Sequence, residues 1–457
     1  MTGADLVAIA PALILAASAG AAALLASTAK VGARTLGWLG ALSSIGAAAT
    51  AVVIGPTAAD MGAAARFGGT VVRDGASVFF VALVGVVAAA SLALAAADPR
   101  GAGRSGWPGR SGDEVALVLF SACGAVLVVS AADLVVLFVG LALLTVPLYV
   151  LTARRQTQRY DERAVRHFLL GAASSAAALY GIALLYAATG ETDYLGLGRA
   201  SHNPLYLGGL GLALAGLAFH MVLAPAHRSS IVVNIAMIGA LLRLVAVTRR
   251  GEVALDWEVS LAALGALALV VAGLAALTER RVRWLVAYAT ISQLGSVFVA
   301  AAGSAAPAAA FALAAYAAMA VGLFGVLALL PLDEPSLDDL AGLARERPLV
   351  VLALGVLVLG LIGIPPTVGF LAKLYVFEAA ARGQLLWLVV LGTLASVISA
   401  ASYLRVALAC FAPRRLDAVA PRRARAGTAL VVLAALAVLL LGVIPGPLLD
   451  AAQAVRF

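Results

Sequence analysis

Two cysteines, two lysines and four histidines are all that 457 residues supply of those types. Each scarcity excludes something. Cys123 and Cys410 cannot build an iron–sulfur cluster, which needs about four ligands, and no CxxC pair is present. The histidines lie in separate segments with no metal-ligand spacing. No glycine-rich phosphate loop sits between a strand and a helix. Charge is scarce as well: Asp, Glu, Lys and Arg make up 12% of the chain, about half the share of a soluble domain. The net charge of +8 does not point to nucleic acid, because the basic residues gather in alternate loops, as the positive-inside rule requires.

What is present is apolar length. Hydrophobic residues make up 63% of the chain, and nearly all of it falls into stretches of about 17–25 residues, each enough to cross a bilayer as a helix. The fold class is an all-α polytopic membrane protein with about 14 transmembrane helices. Spans are expected near 5–27, 35–54, 76–97, 114–130, 132–152, 165–188, 204–226, 229–248, 259–278, 283–302, 307–332, 348–381, 384–411 and 427–449. The first begins at about Leu6 and reads as a span rather than a signal sequence. Loops after odd-numbered segments hold 21 Lys and Arg and those after even-numbered segments 6. That bias puts the odd loops in the cytoplasm of a bacterial cell membrane and both termini outside. No loop is long enough for a soluble domain. Residues 333–347 form the most acidic loop, a solvated connector or a contact for a partner subunit.

Segment 12 is long and carries Gly363, Pro365, Pro366 and Gly369. Two adjacent prolines remove backbone donors and break the helix. Broken backbone at membrane depth is tolerated only in a protein interior or beside a cavity. Pro225 in segment 7 and this pair in segment 12 are a weak pointer to two interrupted halves.

Lys373 lies in the same apolar run. A charged side chain at the centre of a bilayer costs about 2.5–3.5 kcal/mol on insertion scales and marks a functional site by default. A desolvated lysine can release its proton, and arginine in practice cannot. Lys373 therefore reads as a proton carrier, set against a lysine that pairs with an acid or snorkels. Glu378, five residues on, is an imperfectly spaced partner.

Four blocks carry a family resemblance: Gly140-Leu-Ala-Leu-Leu-Thr-Val-Pro-Leu-Tyr149, His167-Phe-Leu-Leu-Gly-Ala continuing to Gly190, Arg283-Trp-Leu-Val-Ala-Tyr-Ala-Thr-Ile-Ser-Gln293 and Gly363-Ile-Pro-Pro-Thr-Val-Gly-Phe-Leu-Ala-Lys373. With Ser396–Arg405 they resemble the antiporter-like membrane subunits, and subunit N of proton-pumping NADH:quinone oxidoreductase (respiratory complex I) in particular. The resemblance covers about residues 75–445. It implies inverted five-helix repeats, helices 4–8 and 9–13, with helices 7 and 12 broken. The implied divisions are residues 1–112, 113–250, 251–412 and 413–457. It also implies proton translocation, with NADH, flavin, iron–sulfur clusters and quinone held by partner subunits and no cofactor in this chain. The expected partners are other membrane subunits, antiporter-like paralogues included, and the lipid bilayer.

The resemblance also implies a proton path from a glutamate on helix 5, lysines on helices 7 and 8, and a lysine on helix 12. Here those positions hold Ala142, His220, Asn234 and Lys373. His220 can titrate and suits a relay, or is a buried polar residue. Asn234 hydrogen-bonds but does not titrate. His227 falls at the cytoplasmic end of helix 7, and the loop that should follow is almost absent. Gln293 stands where histidine is often found on helix 10. Arg243 and Arg405 match family arginines and either anchor the polar axis or sit at an interface. Tyr149, Tyr288 and Tyr403 read as packing, and Asp133 as interfacial. Three outcomes follow for the first half: it is dead while the second conducts, a neighbouring subunit supplies the acid, or the chain is structural. The alternative assemblies are a cation/proton antiporter complex and a membrane-bound hydrogenase.

Overall fold

The structure, a computed structural model, describes the chain apart from residues 1–2, 29–30, 57–64, 98–110, 154–157, 200–202, 224–228, 250–256, 331, 333, 414–423 and 457. The membrane helices are α1 (Ala10–Thr28), α2 (Ala33–Ile54), α3 (Gly75–Ala97), α4 (Ser111–Ser130), α5 (Leu134–Ala153), α6 (Gln158–Thr189), α7 (Pro204–Leu223), α8 (Ser230–Thr248), α9 (Trp257–Thr278), α10 (Val282–Ala302), α11 (Ala306–Leu329), α12a (Pro348–Ile362), α12b (Val368–Arg382), α13 (Leu386–Ala409) and α14 (Arg425–Val443). Among the described residues, thirteen helices are long and apolar enough to cross a membrane. Each coincides with one of the unbroken segments expected from sequence, and the interrupted segment is α12a plus α12b.

Three boundaries differ from expectation. The first membrane helix starts at Ala10, after a separate short helix at Gly3–Ala8. The sixth helix begins at Gln158, well before the apolar run, because the polar stretch ahead of Val165 continues the helix. The last segment stops at Val443 rather than running on. Pro445 restricts the residue before it, Ile444 leaves the helical region (φ −124°, ψ 74°), and a separate short helix follows at Gly446–Gln453.

Burial sorts the helices. α8, α10 and α11 are buried along nearly their whole length. The outer helices turn large apolar side chains outward, among them Leu42, Val53, Leu352 and Leu433. Hydrocarbon is the environment that such faces suit.

The connecting loops are knitted in pairs. Leu134 N–H donates to Thr192 O and Tyr194 N–H to Ala132 O, both at 2.9 Å, which ties the α4–α5 turn to the α6–α7 loop. Val282 N–H donates to Pro335 O at 2.8 Å and Leu337 N–H to Arg280 O at 2.9 Å, which ties the α9–α10 turn to the α11–α12a loop. The second pair follows the first by five helices. Five crossings is an odd number, so the two pairs lie on opposite faces of the bundle. The acidic loop is part of the second pair, and Asp339 caps its 3-10 turn by accepting from Ser336 N–H and Oγ–H.

Candidate functional site

The break in helix 12 follows from its residues. α12a ends on Gly363, whose φ of +85° is the left-handed conformation that glycine adopts freely. Pro365 and Pro366 then supply no N–H. In an unbroken helix those two donors would serve Leu361 O and Ile362 O. Both carbonyls are instead taken by side chains. Gln293 Nε2 donates to Leu361 O at 3.4 Å, and Lys373 Nζ donates to Ile362 O at 2.8 Å. Lys373 reaches back because α12b folds against α12a: a Cβ added at Gly369 would collide with the carbonyl of Gly360.

Lys373 Nζ also donates to Ser396 Oγ on α13 at 3.1 Å. Its ammonium thus sits on the negative end of the α12a dipole, where a cation is favoured. Among the described residues no carboxylate pairs with it. Glu378 is exposed and bridges to Arg382 one turn on, at 2.5 Å. Its place on the expected path is not supported by contact with Lys373, because five residues along a helix turn the two side chains to different faces.

A second polar chain approaches from α8. Asn234 is fully buried, and its Nδ2 reaches Tyr316 Oη on α11 at 3.5 Å. Tyr316 donates to Thr290 Oγ1 on α10 at 3.1 Å, and Thr290 donates to Val286 O. Thr290 and Gln293 are one helical turn apart and share a face. Asn234, Gln293 and Lys373 are therefore gathered around α10, α11 and the helix break. Asn234 Oδ1 is buried with no protein partner among the described residues.

His220 stands in another cluster, between α5, α6 and α7. Its Nδ1 is 2.7 Å from Ser174 Oγ and 2.9 Å from Gly216 O. Its Nε2 is 3.3 Å from Ser175 Oγ and 3.5 Å from Tyr149 Oη. Ala142 lies on α5 two turns before Tyr149, on the face that also carries Thr145. The expected helix-5 carboxylate would occupy that stripe. His227 lies outside the described residues. α7 ends at Leu223 and α8 begins at Ser230.

The two arginines both bind at helix ends. Arg243 forms a bidentate ion pair with Asp74, Nη1–Oδ2 2.7 Å and Nη2–Oδ1 2.9 Å, with both side chains almost fully buried. Asp74 caps the start of α3 by accepting from Ser77 N–H at 2.8 Å. Just outside that span, burial pushes its carboxyl up. Arg243 and Ser77 more than offset this and hold it below the usual carboxylate range. Arg243 Nη2 also points to Val129 O, in the last turn of α4, at 3.5 Å. Arg405 Nη2 donates to Ala276 O in the last turn of α9 at 2.7 Å. Each arginine thus addresses the end of the helix four before its own.

Sequence reasoning did not single out Asp74, Tyr316, Thr290 or Ser396. Hydroxyl residues are common in apolar helices and carry no periodic signal. Asp74 could be found only by noticing a lone acid directly ahead of a span while a buried arginine lacked a partner.

Residues 131–399 match the family described as NADH:quinone oxidoreductase/Mrp antiporter, TM. NADH-quinone oxidoreductase subunit N of Salinibacter ruber is 35% identical over 74% of this chain and 75% of its own length. Subunit N 2 of Koribacter versatilis is 35% identical over 90% of this chain and 87% of its own. A chain of respiratory complex I from Thermus thermophilus with bound Aureothin superposes with a TM-score of 0.81 at 31% identity, covering 97% of this chain and 99% of that one. A chain of the Mrp complex from Dietzia sp. shares the fold, with a TM-score of 0.83 at 21% identity over 98% of this chain and 96% of that one. With the interrupted helix and its lysine in place, and this degree of likeness along the chain, the protein belongs to the NADH:quinone oxidoreductase/Mrp antiporter membrane family, within its subunit N group.

Proposed function

We propose that this chain is a membrane subunit of a complex-I-like NADH:quinone oxidoreductase and that it moves protons through its second half, with Lys373 as the carrier. The observation that carries this reading is the lysine on the broken helix. Lys373 holds a carbonyl left free by Pro366 and a serine hydroxyl, and among the described residues no acid locks it in the charged form. An ammonium held by neutral acceptors can give up its proton at far lower cost than one paired with a carboxylate. Asn234, Tyr316, Thr290 and Gln293 form the polar lining that leads from α8 to it. Asn234 Oδ1, without a protein partner among the described residues, offers an acceptor on that lining.

The first half does not work by the lysine–glutamate exchange of the resembled family. Ala142 cannot carry charge, and Asn234 does not titrate. The knitted loops, with their five-helix offset, support reading residues 113–250 and 251–412 as inverted repeats. Arg243 and Arg405 support it too, each addressing the end of its repeat's first helix. Electron transfer from NADH to quinone would fall to partner subunits holding the flavin and iron–sulfur clusters. Basic loops support termini on the outer side.

The test is to purify the assembled complex, identify its subunits and measure protons moved per electron for wild type and Lys373→Ala. Quinone-oxidoreductase subunits and a lower ratio in the variant support this function. Antiporter or hydrogenase subunits in their place overturn the assignment to a quinone oxidoreductase.

A further inference from the structure

Two of the chain's four histidines flank one tyrosine. The ring of Tyr149 meets the imidazole of His167 edge-on, centroids 5.6 Å apart and planes at 76°. Its hydroxyl faces His220 Nε2 at 3.5 Å, alongside Ser175 Oγ at 3.3 Å.

The carbonyl on the other side of the His220 ring, which can only accept, assigns the proton to the nitrogen that faces it. Ser174 donates to Gly216 O at 2.6 Å, so its hydroxyl oxygen is open as an acceptor. His220 Nδ1 lies 2.9 Å from the same carbonyl and 2.7 Å from Ser174 Oγ. A bare Nδ1 there would set its lone pair against the carbonyl lone pairs. The proton therefore sits on Nδ1, and Nε2 presents its lone pair to the two hydroxyls. His220 is held as a base aimed at α5 and α6. His167 lies in the first turn of the apolar part of α6, which starts at Val165, and is partly exposed. The N-terminal end of α6 (Gln158–Thr189) is on that side.

We propose that His167 and His220 are the two ends of a proton relay in the first half, bridged by the hydroxyls of Tyr149 and Ser175. This rests on the proton-translocating reading above and gives the first half a route that needs neither a lysine nor a glutamate. His167 takes up a proton at the loop end and swings along the edge of the Tyr149 ring to deliver it. One hydroxyl acts per transfer: it receives the proton from His167 and gives its own to His220 Nε2, which has room for one. One positive charge moves from His167 to His220, and nothing else changes.

The test uses the assembled complex in liposomes. His167→Phe keeps the edge-on ring and removes the titrating nitrogens, and Tyr149→Phe keeps the ring and removes the hydroxyl. The relay predicts a drop in protons moved per electron for H167F, no larger than that of Lys373→Ala because other subunits still pump, and its partial recovery when imidazole is added to the loop side. Y149F should show a smaller drop, because Ser175 remains. Wild-type pumping by H167F, or a loss that imidazole does not relieve, overturns the relay. Lys373→Ala run in parallel separates the two claims. If K373A loses pumping and H167F does not, the relay alone fails. If both pump normally, the translocation reading fails with it.

Discussion

The Ile362 carbonyl is 2.8 Å from Lys373 Nζ, and it is free to accept because residue 366, whose N–H would serve it in a helix, is proline. Leu361 O stands in the same relation to Pro365 and is held by Gln293. One sequence feature, the proline pair, thus accounts for the break and for what two of the site's side chains bind. Leaving those acceptors unpaired in an apolar interior would cost about 1–3 kcal/mol each.

Gly363 should tolerate no side chain. Its φ is +85°, and an added Cβ would come within 2.7 Å of Lys373 Cδ. Gly363→Ala should therefore cost about 1–2 kcal/mol in backbone strain and displace the lysine from Ile362. The expected outcome is an assembled complex with reduced proton translocation. Pumping equal to wild type would show that the lysine's seat on the break is dispensable.

Arg243→Ala should destabilise the chain by about 3–5 kcal/mol, because it leaves Asp74 buried without its counter-charge. Adding Asp74→Asn should recover much of that loss. Asparagine carries no charge and still accepts from Ser77 N–H at the start of α3. Thermal unfolding of the purified complex measures both, and equal stability of the single and double variants would contradict the anchoring role.

Tyr316→Phe removes the one hydroxyl shared by Asn234 and Thr290. The Asn234 amide loses its partner in a fully buried setting, at a cost of about 1–3 kcal/mol. Proton translocation should slow while quinone reduction in the presence of an uncoupler stays unchanged. Proton translocation as fast as wild type would place Tyr316 outside the proton path.

Ala142→Glu alone should not produce the behaviour of the resembled family. A carboxylate there would share a face with Thr145 and Tyr149, but Asn234 would still be unable to titrate. Protons per electron should stay close to the wild-type value. A large gain from this single change would mean that only the acid was missing.

Much of this was legible in the residues. Apolar length located the helices, and the two prolines with Gly363 located the break, because each acts locally on the backbone. Lys373 stood out because a lone lysine in an apolar run has few bland explanations. Asn234 and Gln293 were expected to hydrogen-bond between helices, and they do. Their partners were not legible, since Tyr316 and the Leu361 carbonyl are brought near only by packing. Glu378 shows the limit from the other side: nearness in sequence suggested a link to Lys373, and helix geometry gave it to Arg382. Pro445 lies inside an apolar stretch, so apolar length alone overruns the end of the last span at Val443. Asp74 was invisible for the same reason as Tyr316, its partner being 169 residues away.

The most direct measurement compares protons moved per electron in the assembled complex for wild type, Lys373→Ala and Lys373→Arg. Arginine keeps a cation at the end of α12a but does not release its proton in practice, so it separates holding the helix end from carrying the proton. The account predicts that both variants assemble, that both transfer electrons under uncoupling, and that both pump below the wild-type ratio. A wild-type ratio in Lys373→Arg would contradict it, because a fixed charge would then suffice where a proton carrier is claimed.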